Sequence, residues 1–313
     1  MREIRIPAFA KVNLRLDVLG KRADGYHELR TVFQTVSLHD TLRFRPSRDA
    51  GINLRISGNE QLSQEAGEKN LVYRAVDALR RALKSCTGKS ASATFDAGVE
   101  ILLQKKIPAG RGLGGGSSDA AAALLGYLQF TREKMGSKEL LQIAASLGAD
   151  VPFFLLGGRA LGIGKGDEIY PLPDLATQTL LIVSPQNIHV PTPDAYRWLN
   201  APELGSLTKN AAAHKLMEFC ALCWSAQGSG LSNDFEAAVF QQYPRLGQIK
   251  RELLRGGASE ALLAGSGSAV FGVFPSPAKA RRAAVGFPHD QTFVCETVSR
   301  RKYARRMKSA FVV

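Results

Sequence analysis

The sequence predicts an α+β protein whose two modest domains share a cleft. The chain of 313 residues is too long for one ordinary core, and its 45% apolar and 22% charged residues are typical of a globular protein. The predicted strands and helices neither alternate strictly nor repeat, which favours α+β over a parallel α/β sheet. After Gly157 and Gly158 the chain becomes rich in glycine and proline. We therefore place the domain boundary between residues 1–160 and residues 161–313.

The first predicted strand, Lys11–Val18, alternates polar and apolar residues. Because successive side chains of a strand point to opposite faces, Val12 would face the core while Lys11 and Asn13 stand together on the exposed face. An Asp-Gly turn at residues 24–25 follows this strand. Further strands are predicted at residues 31–38, 41–45, 52–56, 99–107, 180–185, 260–264 and 269–274, and helices at residues 71–83, 117–129, 137–147, 210–226 and 232–254.

The chain is strongly basic, with a formal net charge of +13. Excess positive charge attracts any polyanion, so it excludes an acidic solvating protein but does not choose among nucleic acid, an anionic membrane and a phosphorylated small molecule. No RNA-recognition, zinc-finger or helix-turn-helix pattern accompanies the charge, so we expect no nucleic-acid partner. The apolar run at Val151–Leu156 is far too short to cross a membrane, and no secretory signal is present. We expect a cytoplasmic protein without a membrane partner.

The cysteines do not predict a disulfide framework. The chain has four of them, Cys86, Cys220, Cys223 and Cys295, and a cytosol would keep them reduced. Cys220 and Cys223 lack the second cysteine pair or the histidines of a zinc site, so the pattern favours apolar packing.

The strongest motif is PAGRGLGGGSSDAAAA, residues 108–123, which places five glycines and two serines between a predicted strand and a predicted helix. Glycine lets backbone N–H groups turn inward, and a helix N-terminus adds free donors and a positive dipole end. The segment therefore predicts a cradle for phosphate oxygens; the alternative is a flexible connector capped by Ser117 or Ser118. The next predicted element is a second helix rather than a strand, which does not fit a dinucleotide fold, and no P-loop pattern occurs.

At these residues the chain resembles the GHMP kinase superfamily. GLGGGSSDAAA is similar to its phosphate-binding loop, and LLAGSGSAVFGVF, residues 262–274, is similar to its C-terminal glycine motif about 150 residues further on. The resemblance implies an N-terminal domain like the second domain of ribosomal protein S5 and a ferredoxin-like C-terminal domain. It also implies a cleft in which ATP, together with Mg²⁺, phosphorylates a small-molecule hydroxyl.

The resemblance implies that Lys11 and Asp150 are the catalytic pair. Asp150 would orient the substrate hydroxyl and accept its proton, and Lys11 would favour the ionised carboxylate. From the residues alone, Asp150 is explained equally well as the N-cap of the next helix and Lys11 as a solvated lysine. Their meeting across 139 positions of sequence is therefore a strong structural prediction.

A nucleotide site is also implied. Asn70, a suitable N-cap for the helix at residues 71–83, would lie at the adenine; Lys105 would approach the phosphates, although an exposed strand lysine is equally consistent. Ser117 or Ser118 would approach Mg²⁺ through its hydroxyl, because magnesium prefers oxygen ligands. The predicted ATP-binding loop comprises Pro108, Ala109, Gly110, Arg111, Gly112, Leu113, Gly114, Gly115, Gly116, Ser117 and Ser118.

The stretch Ala10–Asp40 is similar to that of GHMP kinases whose substrate carries a cytidine diphosphate moiety. This implies that Tyr26 stacks on the cytosine ring, His27 hydrogen-bonds its polar edge and Tyr196 supplies a second aromatic face. From the residues alone, Tyr26 and His27 are equally consistent with a hairpin tip, and Tyr196 with packing. The predicted substrate-binding residues are Asn13, Tyr26, His27, Thr192, Pro193, Tyr196, Gly265 and Ser266. The sequence leaves a monomer and a homodimer equally open.

Overall fold

The computed structural model describes residues 3–64, 67–87, 98–204, 217, 219–220 and 230–308. The strands are β1 Ile4–Lys21, β2 His27–Ser47, β3 Ile52–Ser57, β4 Gly98–Gln104, β5 Arg159–Gly164, β6 Glu168–Pro171, β7 Thr179–Pro185, β8 Ser232–Asn233, β9 Glu260–Leu263, β10 Val270–Phe274 and β11 Asp290–Glu296. The helices are α1 Glu60–Ser63, α2 Leu71–Thr87, α3 Gly115–Thr131, α4 Ser137–Leu147, α5 Phe153–Leu156, α6 Thr192–Leu199, α7 Phe235–Gln242, α8 Pro244–Arg255, α9 Pro277–Ala284 and α10 Arg300–Met307. This content confirms the α+β class.

The first sheet of the described chain has seven strands, and the long antiparallel pair of β1 and β2 forms its centre. β2 pairs with β4 through residues 41–47 and with β5 through residues 29–34. β3 extends the sheet beyond β4, and β6 extends it beyond β5. The short strand β8 lies parallel to β1 at Arg15 and Leu16. A strand from the second half of the chain therefore completes the sheet of the first half.

The second sheet has the spatial order β11, β7, β10, β9, and all of its pairs are antiparallel. Along the chain, β7 leads through α6, β8 and α7 to α8, after which come β9 and β10, then α9 and finally β11; without the inserted α6, β8 and α7, the order is βαββαβ. A βαββαβ order in an antiparallel sheet is the ferredoxin-like arrangement, which confirms that prediction.

Three apolar cores hold these layers together. The first lies between the seven-stranded sheet and helices α2, α3 and α4, and the second between the ferredoxin-like sheet and its helices. The run of alanines at residues 120–123 in α3 is fully buried, because small side chains let the helix lie close to β1 and β2. The third core joins the two sheets: Val12 and Leu14 of β1 pack with Leu180 of β7 and Phe271 of β10.

Several predicted elements differ from the structure. The strands predicted at residues 31–38 and 41–45 belong to one strand, β2, because no turn residue interrupts them. The helix predicted at residues 232–254 begins with β8 and is divided into α7 and α8, since Pro244 starts a new helix. Lys11 and Asn13 are buried rather than exposed. The second face of β1 is covered by the glycine segment and by the second half of the chain.

The predicted domain boundary at residue 160 falls inside β5, which pairs with β2 and carries the hairpin partner β6. Glycine and proline in this stretch mark the ends of a hairpin in the first sheet rather than a linker. The change from one sheet to the other occurs between Pro171 and Thr179, and we place the boundary there.

Parts of the predictions lie outside the described residues, among them most of the helix predicted at residues 210–226, Cys223 and the side chain of Cys86. Among the described helices, none combines the length and apolar character that a membrane span needs.

Candidate active site

The glycine segment runs from the end of β4 into α3 and forms one wall of a cavity of about 370 Å³, the loop cavity. Gly110, Gly112 and Gly114 have φ angles of 67°, 83° and 70°, which L side chains rarely adopt. The Lys11 N–H donates to the Leu113 carbonyl at 3.0 Å and so fixes the segment against β1. Gly114 is the N-cap of α3, and both serines lie within the helix. The segment is therefore an ordered wall of the loop cavity, not a serine-capped connector.

The structure brings nearly all of the predicted ATP-binding residues to the loop cavity. Residues 108–117 line it, together with Asn70 and Lys105. The Asn70 Oδ1 accepts from the Val72 N–H at 2.9 Å, so Asn70 is also the predicted cap of α2. Ser118 is the exception: its side chain is buried and does not line the cavity.

Lys105 is buried between two carboxylates that the sequence analysis did not single out. Its Nζ donates to Asp40 Oδ2 and, at 2.6 Å, to Asp119 Oδ2. Burial lowers the pKa of the Lys105 ammonium, but Asp119 and Asp40 outweigh burial and the net direction is upward. The alternative of an exposed strand lysine is therefore wrong; Lys105 is a buried cation beside the glycine segment.

Arg111 points its guanidinium toward the second half of the chain. Its Nη1 donates to Ser268 Oγ at 2.9 Å and its Nη2 to the Gln186 carbonyl at 2.9 Å. The Ala269 N–H donates back to the Arg111 carbonyl at 3.1 Å. Although Arg111 lines the loop cavity, these bonds make it a link between the glycine segment and the C-terminal glycine motif.

Lys11 and Asp150 meet in a smaller cavity of about 240 Å³, the central chamber. Lys11 Nζ lies 3.5 Å from Asp150 Oδ2 and donates to Asn13 Oδ1 at 2.7 Å. The Lys11 side chain is buried, whereas about a third of Asp150 is exposed, with a relative area of 32%. The N-cap of α5 is Pro152, so Asp150 is not a helix cap. The predicted meeting of the two residues is confirmed.

The C-terminal glycine motif closes one side of the central chamber. A Cβ built on Gly265 would lie 3.3 Å from both Lys11 Nζ and Asn13 Oδ1, so the turn approaches the pair closely. Asn233 holds this turn by donating to the carbonyls of Leu263 and Gly265 at 2.9 and 2.7 Å. Ser266 Oγ donates to Thr192 Oγ1 at 3.2 Å.

A third cavity of about 650 Å³, the outer cavity, contains the remaining predicted substrate-binding residues. The rings of His27 and Tyr196 stack at 4.5 Å between centroids. Tyr26 is 60% exposed, and Lys165 Nζ lies 4.8 Å from its ring centroid. Thr192 and Pro193 complete the set. The two rings that stack are thus His27 and Tyr196, while Tyr26 stands apart.

Burial controls the charge of the aromatic groups. It lowers the pKa of His27, and the neighbouring charge of Lys21 adds to this effect against Glu203. Burial raises the pKa of the Tyr196 phenol, and Asp150 adds to the rise. Both side chains are therefore neutral near pH 7.

The three cavities adjoin one another. Gly112 and Gly114 line both the loop cavity and the central chamber. Lys165, Thr192 and Tyr196 line both the central chamber and the outer cavity. A ligand in the loop cavity and a ligand in the outer cavity would meet at Lys11 and Asp150.

Comparisons with known proteins agree with this arrangement. The chain matches the models of the GHMP kinases N terminal domain at residues 70–158 and of the GHMP kinases C terminal region at residues 209–289. It is 45% identical to the 4-diphosphocytidyl-2-C-methyl-D-erythritol kinase of Solibacter usitatus over 96% of this chain and 91% of that protein. The enzyme of the same name from Pelotomaculum thermopropionicum is 40% identical over 90% of this chain and 92% of that protein. The chain belongs to this family of GHMP kinases.

A solved structure supports the same assignment. The crystal structure of a 4-(cytidine 5'-diphospho)-2C-methyl-D-erythritol kinase matches with a TM-score of 0.73 and 35% identity, covering 94% of this chain and 99% of that one. The chain is thus a small-molecule kinase of the GHMP fold, and ATP is the phosphoryl donor of its family.

Sequence reasoning missed several side chains of this kinase site. Lys165, which lines both the outer cavity and the central chamber, lies in the stretch GIGKGDE, but one lysine in a glycine-rich run carries no distinguishing pattern. Thr31 and Asp40 lie on β2. The sequence pattern of a strand does not show which other elements its side chains will contact. Asp119 follows the two serines of the loop motif, and its position there was the available signal.

The oxygen groups at the loop cavity fit a magnesium ion that binds with ATP. The described residues include no group of three His, Cys, Asp or Glu side chains that would hold a metal unaided. The Ser117 hydroxyl and the Asp119 carboxylate both line the loop cavity, and Asp119 Oδ1 is buried without a hydrogen-bond partner. Magnesium takes few protein oxygens and completes its shell with phosphates and water, so this sparse donor set is suitable.

Proposed function

We propose that this chain transfers the γ-phosphoryl group of ATP to the 2-hydroxyl of 4-diphosphocytidyl-2-C-methyl-D-erythritol, giving the 2-phosphate and ADP. The reaction belongs to the non-mevalonate pathway to isoprenoid precursors. The names of the relatives support the substrate. The observation that carries the proposal is the Lys11–Asp150 pair, which lies in the central chamber between the phosphate cradle and the aromatic outer cavity.

ATP would bind in the loop cavity. Backbone N–H groups of the glycine segment and of the first turn of α3 would receive the phosphate oxygens, and the positive end of the helix dipole favours their charge. Asn70 and Leu71 at the start of α2 line the opposite wall, where the adenine would lie. Lys105 lines the same cavity, where Asp40 and Asp119 hold its ammonium in place.

The acceptor hydroxyl would lie in the central chamber beside Asp150. The carboxylate would orient the hydroxyl and accept its proton as the oxygen attacks the γ-phosphorus and the bond to the ADP oxygen breaks. Lys11, 3.5 Å from the carboxylate, favours its ionised form and stabilises negative charge on the attacking oxygen. Because phosphoryl transfer has a loose transition state, placement and charge neutralisation supply most of the catalysis.

The cytidine end would occupy the outer cavity. Tyr26 and Tyr196 offer aromatic faces to the base, and stacking of a base on such a face is worth about 1–3 kcal/mol. His27 would hydrogen-bond the polar edge of the base. Lys165 lies between the outer cavity and the central chamber, where the diphosphate must pass, and its ammonium would pair with that charge.

Mg²⁺, when bound with ATP, would neutralise negative charge on the phosphates. The residues that would hold it are Ser117 and Asp119. Ser118 is a poor candidate because its hydroxyl does not line the loop cavity. The cytoplasmic location, the lack of a nucleic-acid partner and the choice between monomer and homodimer stay predictions.

The direct test is a coupled assay of ADP release with the purified protein, ATP and 4-diphosphocytidyl-2-C-methyl-D-erythritol, with the position of the new phosphate assigned by ³¹P NMR. We expect turnover with this substrate and none with mevalonate or homoserine. Turnover with either of those alcohols, and none with the cytidyl compound, would overturn the substrate assignment.

A matched variant tests the role of Asp150. Asp150→Asn keeps the size of the side chain but cannot accept a proton, so kcat should fall about 10²–10⁴-fold. The affinity for ATP, measured by calorimetry, should change little, because Asp150 does not line the loop cavity. A kcat close to that of the wild type would remove Asp150 from the mechanism.

A further inference from the structure

The cluster of Asp40, Lys105 and Asp119 is the most unusual group of charges in the described part of the chain. All three residues are buried, with relative areas of 0%, 7% and 3%. Two carboxylates face one ammonium, so the ionised cluster carries one net negative charge. That charge lies at the edge of a cavity whose glycine segment is suited to a polyanion.

The two carboxylates differ in how their oxygens are used. Asp40 is saturated: its Oδ2 accepts from Lys105, and its Oδ1 accepts from the backbone N–H groups of Lys106 and, at 2.8 Å, Ile107. Asp119 uses only Oδ2, which accepts from Lys105 at 2.6 Å. Its Oδ1 is buried and has no hydrogen-bond partner. A buried carboxylate oxygen without a partner is costly, so it calls for an explanation.

The position of Asp119 at the loop cavity explains its unpartnered oxygen. Asp119 lines the loop cavity together with Ser117 and the glycine segment, whereas Asp40 does not line it. A cation at Oδ1 would supply the missing partner and also balance the excess negative charge of the cluster.

We propose that Asp119 is the carboxylate ligand of this kinase for the divalent metal ion that enters with ATP, which it binds through Oδ1. The inference rests on the proposed function only in taking ATP as a substrate. Lys105 keeps the carboxylate in place through Oδ2, and Asp40 keeps Lys105 in place. Phosphate oxygens and water complete the shell of a hard cation of this kind.

The competing explanation is that Asp119 serves only to hold Lys105. Asp40 provides the matched control, because Asp40→Asn removes the same charge from the same cluster without changing an oxygen at the cavity. A purely structural role predicts similar effects for Asp40→Asn and Asp119→Asn. A ligand role predicts that Asp119→Asn weakens metal binding much more than Asp40→Asn does.

The first experiment measures Mn²⁺ binding to each protein in the presence of the non-hydrolysable analogue adenylyl imidodiphosphate, by calorimetry and by the EPR signal of free Mn²⁺. Asp119→Asn should weaken Mn²⁺ binding by about tenfold or more, since even supporting residues of metal sites cost about 10–100-fold. Asp40→Asn should weaken Mn²⁺ binding clearly less than Asp119→Asn does, because it leaves the ligand atom in place and acts only through Lys105. The analogue should bind all three proteins similarly when EDTA is present.

A second variant changes the metal preference. Asp119→Cys replaces a hard oxygen by a soft thiolate, so binding of Cd²⁺ with the analogue should strengthen relative to Mg²⁺. A residue that only supports Lys105 would not produce this change.

A third measurement uses the wild-type protein, so its result does not depend on whether a variant folds. With aspartate ¹³C-labelled in the wild-type protein, pulsed EPR of the Mn²⁺–analogue complex should detect a carboxylate ¹³C coupling. No coupling, unchanged Mn²⁺ affinity in Asp119→Asn, or an equal loss in Asp40→Asn would each overturn the proposal. If these tests give the expected results but the cytidyl substrate is not phosphorylated, the proposed function is wrong, while the assignment of Asp119 as a metal ligand is retained.

Discussion

Lys11 is positioned by a chain of buried hydrogen bonds that begins on the backbone. Thr31 Oγ1 donates to the Arg15 carbonyl at 2.8 Å and accepts from Asn13 Nδ2 at 2.7 Å. These bonds orient the Asn13 amide so that its Oδ1 accepts from Lys11 Nζ at 2.7 Å. Thr31 therefore orients the Lys11 ammonium toward Asp150 indirectly, through the Asn13 amide.

This chain predicts an effect of Thr31→Val, which keeps the shape but removes both hydrogen bonds of the hydroxyl. Leaving the Asn13 amide unpaired costs about 1–3 kcal/mol, so kcat should fall by about 5- to 150-fold. The KM for ATP should be unchanged, and Thr31→Ser should restore most of the kcat in the coupled assay. If the serine variant were as slow as the valine variant, the methyl group rather than the hydroxyl would be the important part.

The environment of His27 predicts how substrate binding depends on pH. Burial, followed by the charge of Lys21, lowers the pKa of His27 below its ordinary 6.5. The folded protein therefore holds a neutral ring above pH 6.5 and a cationic ring only at clearly lower pH. Cytidine diphosphate affinity, measured by calorimetry, should be constant from about pH 7 to pH 8 and change only below the ordinary pKa.

His27→Gln supplies the control for this profile, since glutamine hydrogen-bonds but does not titrate. Its affinity for cytidine diphosphate should be constant from about pH 7 to pH 8, and below that should show only the change caused by the terminal phosphate of the ligand, which titrates at about pH 6. A midpoint above pH 6.5 in the wild type would contradict the lowered pKa.

Much of the site was predictable from the sequence, and the remainder depends on contacts between distant strands. The pair Lys11 and Asp150, the glycine segment and the hairpin-tip residues could be named from motifs and their resemblance. The burial of Lys105 could not, because its partner Asp40 lies 65 positions away on another strand. The stack of His27 on Tyr196 likewise joins two halves of the chain.

At the scale of elements, local signals predicted helices better than long strands. The helix at residues 137–147 has the predicted bounds, because Gly136 and Gly148 mark both of its ends. The sequence predicted two strands where the structure has the single strand β2. The two halves of β2 have different neighbours, β5 on one half and β4 on the other. The hairpin of β5 and β6 was taken for a linker, since glycine and proline mark turns of either kind.

The glycine segment predicts the effect of single methyl groups. In Gly112→Ala, a Cβ would overlap the Ala264 carbonyl, and the φ of 83° disfavours any L residue by about 1–2 kcal/mol before that overlap is added. We expect a lower melting temperature and weaker binding of the ATP analogue. Both can be measured by differential scanning fluorimetry.

Gly116→Ala is the matched control for stability. Gly116 lies in the first turn of α3 with ordinary backbone angles, and its added Cβ would meet only Leu71 Cδ1 at 3.5 Å. The melting temperature should not fall. Equal destabilisation by the two alanines would mean that the left-handed geometry of Gly112 is not what matters.

At the scale of the whole molecule, the two halves are joined at the site itself. Asn233 is the last residue of the short strand β8, which completes the first sheet, and its amide holds the Gly265 turn against the central chamber. The third apolar core lies directly beneath, between the two sheets. Separation of the halves would therefore disrupt the surroundings of Lys11 and Asp150 together with a core.

Arg111 provides a test of this coupling. Its two hydrogen bonds to Ser268 and to the Gln186 carbonyl are charge-assisted, so Arg111→Ala should lower the free energy of unfolding in urea by about 1–3 kcal/mol. The KM for ATP should change little. Arg111→Lys keeps the charge but cannot form both bonds and should recover only part of the loss. A large rise in the KM for ATP with unchanged stability would instead make Arg111 a phosphate ligand.

Helix α10, residues 300–307, follows the last strand of the second sheet, but its Tyr303 and Met307 pack in the core of the first sheet. The Tyr303 hydroxyl donates to the Phe154 carbonyl, and its ring packs on Gly157, close to the segment that carries Asp150. During synthesis on the ribosome, this core stays open until those residues have emerged from the exit tunnel. A nascent chain therefore lacks part of the packing behind Asp150 until residue 307 has left that tunnel.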